Sequence, residues 1–413
     1  MHILLIHQFF LKDDDGGGSR WNEISRIWIE EGHQVTVLTG TVHYMGQKSD
    51  KKSGKYFTEK VNKDGVKVIS CHVSESYNAG FYEKLWAFIS FIFTGIYGGI
   101  FYAKDQYNLI IVTSPPLFVG ITAIVLSWWK RIPFVFEVRD LWPESAIETG
   151  VLKNKLLIKF AYWFEQYVYR KAKLINVLTP AFREILIQKK NVPAEKIIYI
   201  SNGADFPLAD RIRADLDVSA FRREYHLEGK FVIIYVGAHG IANHLIQIIN
   251  AATLLQDINV HFLLIGDGKQ KDDLITEVQK RKLKNVQFLD SVSKNDVFKY
   301  ILASDMGTSV LKKAEIFKTI YSNKTFDYFS CKKPVLMVID GISRKLAEDA
   351  DAGIFIEPEN ARDFADKVKF YMNNSHLLSD QGENGYRYAK VHFDREILAK
   401  KYLNHLEHYF GKN

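Results

Sequence analysis

The sequence predicts an α/β chain made of two doubly wound parallel sheets in succession, and three observations carry that prediction. Short apolar runs of strand length alternate with stretches long enough for a crossover helix. The alternation stops near residue 200 and starts again after residue 217. The length, 413 residues, suits two or three domains at about 150 residues each, with ample material for sizeable cores.

The first series runs HILLIH (2–7), QVTVLT (34–39), VKVIS (66–70), LIIVTS (109–114), FVFEV (134–138) and LINVLT (174–179). Crossover stretches such as 19–32 and 118–131 separate these runs, the spacing of a parallel sheet with helices on both faces. The second series runs FVIIYV (231–236), VHFLLIG (260–266), VQFLD (286–290), MGTSVL (306–311), PVLMVI (334–339) and GIFIEP (353–358). The junction falls near 200–217, where Asn202-Gly203, Asp205 and Pro207 read as a surface connection ahead of the charged RIRADLD. After Glu359 the chain reads as helical, and on the last helix Leu398, Tyr402, Leu403, Leu406 and Phe410 share a face. That face needs another surface to cover, and the first domain is the candidate. The expected domains are therefore 1–205, 206–392 and a returning helix at 393–413.

Composition excludes several classes. Apolar residues at 47% and charged residues at 25% match globular averages, against wholesale disorder or a polytopic membrane protein. The two cysteines, Cys71 and Cys331, form neither a disulfide framework nor a metal-ligand spacing, so a reducing cytosol is the default. A net charge of +7 points to an anionic partner: phosphates, nucleic acid or anionic lipid. No reader motif accompanies the charge, so nucleic acid is not expected. The opening MHILLIHQFF lacks a basic region before its apolar run and reads as a buried strand, not a signal peptide.

Two segments depart from the pattern. Gln47 to Asp64, with six lysines, reads as a solvated loop. Within residues 84–104, bounded by Lys84 and Lys104, WAFISFIFTGIYGGIFYA (86–103) is 18 residues without a charge, at the edge of the membrane-spanning range. Lying between two strands of one sheet, they read either as a helix packed partly on that sheet or as an amphipathic or re-entrant membrane-docking helix. Lys84, Tyr102 and Lys104 would suit a headgroup boundary.

Five constellations could carry chemistry. DDDGGGSR (13–20) follows the first strand; Gly16, Gly17 and Gly18 permit close backbone approach, and Arg20 at the helix start completes an anion site. The alternative is a flexible turn. Asp13 and Asp15 have a D-x-D spacing, but the triplet reads as a polar loop tip and no metal site is expected. FEVRDLWPES (136–145) delivers Arg139, Asp140 and Glu144 to the carboxyl edge of the sheet, where doubly wound folds bind ligands. Asp140 could instead cap a helix or pair with Arg139.

GAHGIANHL (237–245) repeats the position of the glycine loop in the second half; Gly237 and Gly240 would bring amides against a phosphate, with His239, Asn243 or His244 as hydrogen-bonding candidates. LLIGDGKQKDDL (263–274) sets Gly266, Asp267 and Gly268 at the next strand exit. In IYSNKTFDYFSCKKPVL (320–336), Lys324 and Asp327 lie three apart on one helix face, offering a cation for a diphosphate and a carboxylate for ribose hydroxyls. A surface salt bridge is the plain alternative.

Together these residues resemble glycosyltransferase family 4, whose members have the GT-B fold of two Rossmann-like domains with the active site in the cleft between them. GGGSRWNEISRIWIEEGHQVTVLTG is similar to the family's opening, SNGAD to its interdomain Asn-Gly-x-Asp, IGDG to its Gly-Asp-Gly turn and SNKTFDYFSCKKPVLMV to its Pro-Ser-Lys-x-Phe-Glu-Tyr element. RDLWPES resembles the bacterial O-antigen and capsule subgroup, including L-fucosamine (N-acetylfucosamine) transferases. The resemblance implies transfer of a sugar, an N-acetylated or deoxy hexose, from a UDP-sugar with retention and without a required metal or other cofactor.

By position, the resemblance implies that Lys324 neutralises the departing diphosphate and Asp327 holds the ribose. Asn323, Thr325 and the glycine turns would line the donor site, Asp140 and Arg139 would position reacting hydroxyls, and Arg20 and Glu144 would lie on the acceptor side. Three departures from the family stand out: Thr319 where a first glutamate is usual, Arg139 where a histidine is common, and no Arg/Lys pair in GAHGIANHL. They leave room for a catalytically silent scaffold of a polysaccharide assembly complex, or for a UDP-sugar 2-epimerase of the same fold. The acceptor expected is a polyprenyl-diphosphate-linked glycan at an anionic membrane surface, with residues 84–104 and lysines within 48–63 docking on the cytoplasmic leaflet.

Overall fold

The computed structural model describes residues 1–12, 20–41, 56–74, 81–148 and 150–411, and at 81–85 the backbone alone. It divides into two compact units, residues 1–201 with 396–413, and residues 202–395. The boundaries thus fall at Ser201 and Arg395 instead of 205 and 392.

In the first unit the order is β1 (His2–Ile6), α1 (Arg20–Glu30), β2 (Gln34–Gly40), β3 (Phe57–Val61), β4 (Lys67–Cys71), α2 (Phe81–Phe101), β5 (Leu109–Ser114), α3 (Val119–Lys130) and β6 (Phe134–Val138). It continues with α4 (Glu144–Glu148), α5 (Lys155–Lys171), β7 (Leu174–Val177), α6 (Pro180–Gln188) and β8 (Ile197–Tyr199). The sheet order is β3-β4-β2-β1-β5-β6-β7-β8. All pairs are parallel except β3 with β4. The winding reverses between β1 and β5, so the ligand crevice of such a sheet lies beyond their carboxyl ends.

Strand periodicity divides the core. Ile3, Leu5, Val37 and Val135 face one layer with Trp21 and Trp28 of α1. The alternate residues face α2, α3 and α5: Leu38 and Cys71 lie against Gly98 of α2, and Phe136 meets the Tyr169 ring at 6.0 Å.

The second unit runs α7 (Phe206–Asp215), α8 (Val218–Glu224), β9 (Phe231–Val236), α9 (Ile246–Thr253), β10 (Val260–Ile265), α10 (Lys271–Lys280), β11 (Val286–Leu289), α11 (Lys294–Ala303) and β12 (Met306–Val310). Then come α12 (Asn323–Ser330), β13 (Val335–Val338), α13 (Ile342–Asp349), β14 (Gly353–Phe355), α14 (Ala361–Asn373), α15 (His376–His392) and α16 (Arg395–Phe410), the last crossing into the first unit. This sheet is parallel throughout, β11-β10-β9-β12-β13-β14, with its switch point between β9 and β12. Val232 and Ile234 face the core of α7, α11 and α12, while Ile233 and Tyr235 face that of α9 and α14.

Helix α16 buries Leu398, Tyr402, Leu403 and Leu406 against Trp21 and Trp28. Trp28 Nε1 donates to the Ala399 carbonyl at 2.9 Å. Each apolar side chain so covered contributes about 1.5–3 kcal/mol relative to exposure.

Three local expectations change. The lysine-rich loop 47–64 ends in a strand: β3 pairs antiparallel with β4 through a turn in which Asn62 Oδ1 accepts from the Asp64 and Val66 amides. The junction is helical, because Asp205 caps α7 through the Leu208 amide and Phe206 and Ala209 are buried. Residues 81–101 form α2, which packs on the sheet and on α3 and buries Ala87, Phe91 and Ile92. Among the described residues no helix is long and apolar enough to cross a membrane.

Candidate functional site

In the second unit the carboxyl ends of β9, β10 and β12 gather most of the residues singled out above. Helix α12 is pinned there by one aromatic side chain. Tyr328 Oη donates toward the Thr308 carbonyl at 3.2 Å and accepts from the Val236 amide at 3.2 Å. Gly307 makes room for it, since a Cβ there would lie 2.2 Å from the Tyr328 ring. Ser322, Ser309 and Thr325 add hydroxyl bonds of 3.2 and 2.8 Å at the start of the helix.

That anchoring carries Lys324 to the mouth of β9. Its Nζ lies 4.9 Å over the Tyr235 ring, and its Cε would stand 3.3 Å from a Cβ on Gly237. Among the described residues it makes no hydrogen bond or ion pair. Loss of solvent pushes its ammonium down to about 8, against the pull of Asp327. Asn323 is exposed and its Oδ1 accepts from Asn202 at 2.6 Å, tying the SNGAD motif to α12.

The two glycine turns serve each other. The Gly237 amide donates to Ile265, the His239 amide to Asp267, the Gly266 amide to Leu289 and the Gly268 amide to the Asp267 carboxylate, at 2.7–3.1 Å. A Cβ on Gly266, whose φ is +146°, would sit 1.9 Å from the Gly237 carbonyl oxygen. The expectation that the Gly237 amide faces a phosphate is therefore corrected, because it is spent within the protein. Among the described residues the amides of Ala238 and Gly240 donate to nothing, and they alternate with the spent pair along the loop.

Two further donor-side assignments are corrected. His239 is fully buried with both ring nitrogens unbonded. Burial, with Lys271 nearby, pushes it down to about 4, so it is neutral packing between Tyr235 and Phe288. Thr325 is fully buried and bonded to Ser309, which makes it part of the α12 anchor.

In the first unit the carboxyl edge presents Arg139 and Asp140. The Asp140 carboxyl is pushed up to about 6 by loss of solvent, against hydrogen bonds from Ser145 and the Leu141 amide. Arg139 makes no hydrogen bond or ion pair among the described residues, so the expected alternative of an Arg139–Asp140 pair is not formed. His7 and Gln8, which sequence reasoning passed over as part of the first strand, stand at the end of β1. Both are buried, and the Gln8 amide has no hydrogen-bond partner on either atom. His7 is held well below its ordinary value by burial and by Arg139. The signal available was their position, immediately after a strand at the carboxyl edge of the sheet.

Arg20 is not an acceptor-side residue. Its guanidinium engages Glu137 at 3.0 and 3.3 Å and the carbonyls of Ile200 and Ser201. Glu137, fully buried on β6, also receives Asn176 and Thr113. Glu144 likewise turns inward, where it and Glu165 hold the buried Lys190, and burial pushes Glu165 up to about 7. This knot fixes α4 against α5 and so the turn bearing Asp140. Gly16, Gly17 and Gly18, with Asp13 and Asp15, lie outside the described residues.

Beside α12, a pocket after β12, β13 and β14 is lined by Lys312, Lys313, Phe317, Lys318, Asp340 and Glu357, among others. Thr319, next in the chain after Lys318, donates to the Ile316 carbonyl at 2.6 Å. Among the described residues no group of three or more His, Cys, Asp or Glu is placed to hold a metal.

Comparison with known proteins bears on both units. Residues 15–203 match the family described as glycosyl transferase 4-like domain, and residues 217–388 match glycosyl transferases group 1. Over 98% of the chain it is 21% identical to the putative colanic acid biosynthesis glycosyl transferase WcaI of Escherichia coli K12, covering 99% of that protein. It is 27% identical to an uncharacterized glycosyltransferase, MJ1178, of Methanocaldococcus jannaschii, over 70% of this chain and 82% of that one. The crystal structure of Anabaena Alr3699/HepE in complex with UDP superposes with a TM-score of 0.72 and 16% identity, covering 99% of this chain and 100% of that one.

Proposed function

Because the chain belongs to the family 4 glycosyltransferases of GT-B fold, we propose that it moves a sugar from a UDP-sugar to a polyprenyl-diphosphate-linked glycan in bacterial surface polysaccharide synthesis. The reaction proceeds with retention at the anomeric carbon and requires no metal. The observation that carries this reading is Lys324, an ammonium with no hydrogen bond or ion pair among the described residues, held over Tyr235 and against Gly237.

In that reaction the bond from the anomeric carbon to the donor phosphate oxygen breaks and a bond to an acceptor hydroxyl forms on the same face. The acceptor proton goes to the departing phosphate oxygen. Lys324 and the amides of Ala238 and Gly240 stabilise the charge that collects on the diphosphate, the kind of electrostatic contribution that usually dominates. Asp327 takes the ribose hydroxyls. Asp140, ionised above about pH 6, and Arg139 orient hydroxyls of the reacting sugars. WcaI is named for colanic acid biosynthesis and HepE binds UDP, which supports the polysaccharide and donor assignments. The enzyme works at the cytoplasmic face of the membrane that carries its acceptor.

The test is incubation with a panel of labelled UDP-sugars and a polyprenyl-diphosphate-linked glycan. Label in the lipid fraction, stoichiometric UDP and a product anomer matching the donor are expected; an inverted anomer would refute retention. Thr319, standing where the family has a glutamate, favours one second reading, a silent scaffold that binds nucleotide without transfer.

A further inference from the structure

We infer that the outward faces of α2, α3 and α5 form one surface that docks on an anionic lipid bilayer. The proposal deepens the acceptor assignment above and rests on it.

The three helices are neighbours in one layer, α2 packed on α3 and α3 on α5, all within the first unit. On α2 the exposed Trp86, Phe93, Tyr97 and Phe101 recur at seven, four and four residues, a single stripe opposite the buried Ala87, Phe91 and Gly98. On α5 the exposed Leu156, Phe160 and Trp163 form a second stripe. Trp128 and Trp129, 76% and 56% exposed, end α3. Four of the chain's seven tryptophans are thus exposed on this one layer. A monomer in water has no use for so much contiguous aromatic surface.

The surface also leads toward Asp140. Ring contacts of 5.4, 6.2 and 5.7 Å run from Trp142, two residues after Asp140, through Phe118 and Phe160 to Trp163. An acceptor whose lipid lies along α5 would present its glycan toward Asp140.

Charge decides the occupant. Lys104, Arg131, Lys153, Lys155, Lys159 and Lys171 are exposed around the stripes. Among the acids, Asp105 is taken by Lys67 at 3.0 Å, and Glu144 and Glu165 by Lys190; the described residues of α4 and α5 carry one other acid, Glu148. Tryptophan with flanking lysine suits the interfacial region of an anionic leaflet. No described helix can cross the bilayer, so the surface lies in the interface. The lysines within 48–63 are not needed: Lys60 and Lys63 are exposed on or beside β3, and the others lie outside the described residues.

The test is flotation of the full chain with vesicles of phosphatidylcholine alone or mixed equally with phosphatidylglycerol. The chain should float with the anionic vesicles and lose that partitioning in high salt. Phe160→Asp with Trp163→Asp should lower it about tenfold or more. Lys153→Glu, Lys155→Glu and Lys159→Glu, exposed positions that leave the core untouched, should lower it and remove the salt dependence. Stabilisation by UDP and transfer to a short-chain, water-soluble acceptor should be unchanged in all variants. Variants that float like the wild type, equal flotation with neutral vesicles, or a dimer split by the same substitutions would each overturn the proposal. Loss of UDP binding or soluble transfer in the wild type itself would refute the transferase reading and leave the docking result standing.

Discussion

Lys324 Nζ lies 4.9 Å above the centre of the Tyr235 ring and has no anionic partner among the described residues. Loss of water raises the free energy of its charged state by more than the distant attraction of Asp327 offsets, which pushes it down to about 8. The Tyr235 ring offers partial compensation through its negative face. Full compensation requires an anion, and Lys324 stands against Gly237, which opens the loop with two unspent amides.

Binding of UDP above pH 8 should therefore draw a proton onto Lys324. Calorimetry in buffers of different ionisation enthalpy at pH 8.5–9 should report uptake approaching one proton. Lys324→Ala should abolish it and weaken UDP binding about tenfold or more, the loss of a charge-assisted contact. Uptake that persists in the variant would place the titrating group elsewhere.

Asp140 should set the acid limb of the proposed reaction. Its carboxyl titrates near 6, so transfer measured as kcat/KM should rise through that pH. Asp140→Asn should remove the limb and lower transfer by about 100-fold while UDP binding is retained. The same shift has a stability consequence: between the unfolded value of about 3.9 and 6 the native state holds more protons, so this group's contribution to stability falls as pH rises through that window.

The pair Arg20–Glu137 is a buried brace at 3.0 Å. Arg20→Met leaves Glu137, with no solvent exposure, without its cation, and should cost about 3–5 kcal/mol in urea unfolding. A loss below about 1 kcal/mol, typical of surface pairs, would contradict the arrangement.

Gly266→Ala asks for a Cβ 1.9 Å from the Gly237 oxygen at a φ of +146°. It should destabilise the second unit by about 2 kcal/mol or more and weaken UDP binding by displacing the Gly237 loop. Gly240→Ala meets only Asn243 Oδ1 at 3.4 Å and should leave stability within about 0.5 kcal/mol.

What was legible in the sequence follows from what each residue's role depends on. Runs such as FVIIYV and LIIVTS declare central parallel strands because both their faces are buried. FTEKV hides β3, an edge strand whose last three residues are exposed, inside a lysine-rich segment. The place of Lys324 was legible because it stands at the start of a helix at the carboxyl edge of the sheet. Arg20 was misread for the opposite reason: its partner is 117 residues away on β6, and local spacing carries no trace of that contact. Thr325 and Glu144 turn inward for hydroxyl and ammonium partners that are equally remote. The glycine turns were located correctly, but which amides remain unspent depends on how β9 and β10 exits pair.

The most direct measurement is thermal stabilisation of the wild type and Lys324→Ala by UDP, GDP, ADP and CMP, with and without EDTA. A ligand at about 100 times its dissociation constant adds about 2.7 kcal/mol, a readily visible shift in Tm. The account predicts selective stabilisation by UDP that survives EDTA and disappears in Lys324→Ala. Equal stabilisation of the variant, or none of the wild type by any nucleotide, would contradict it.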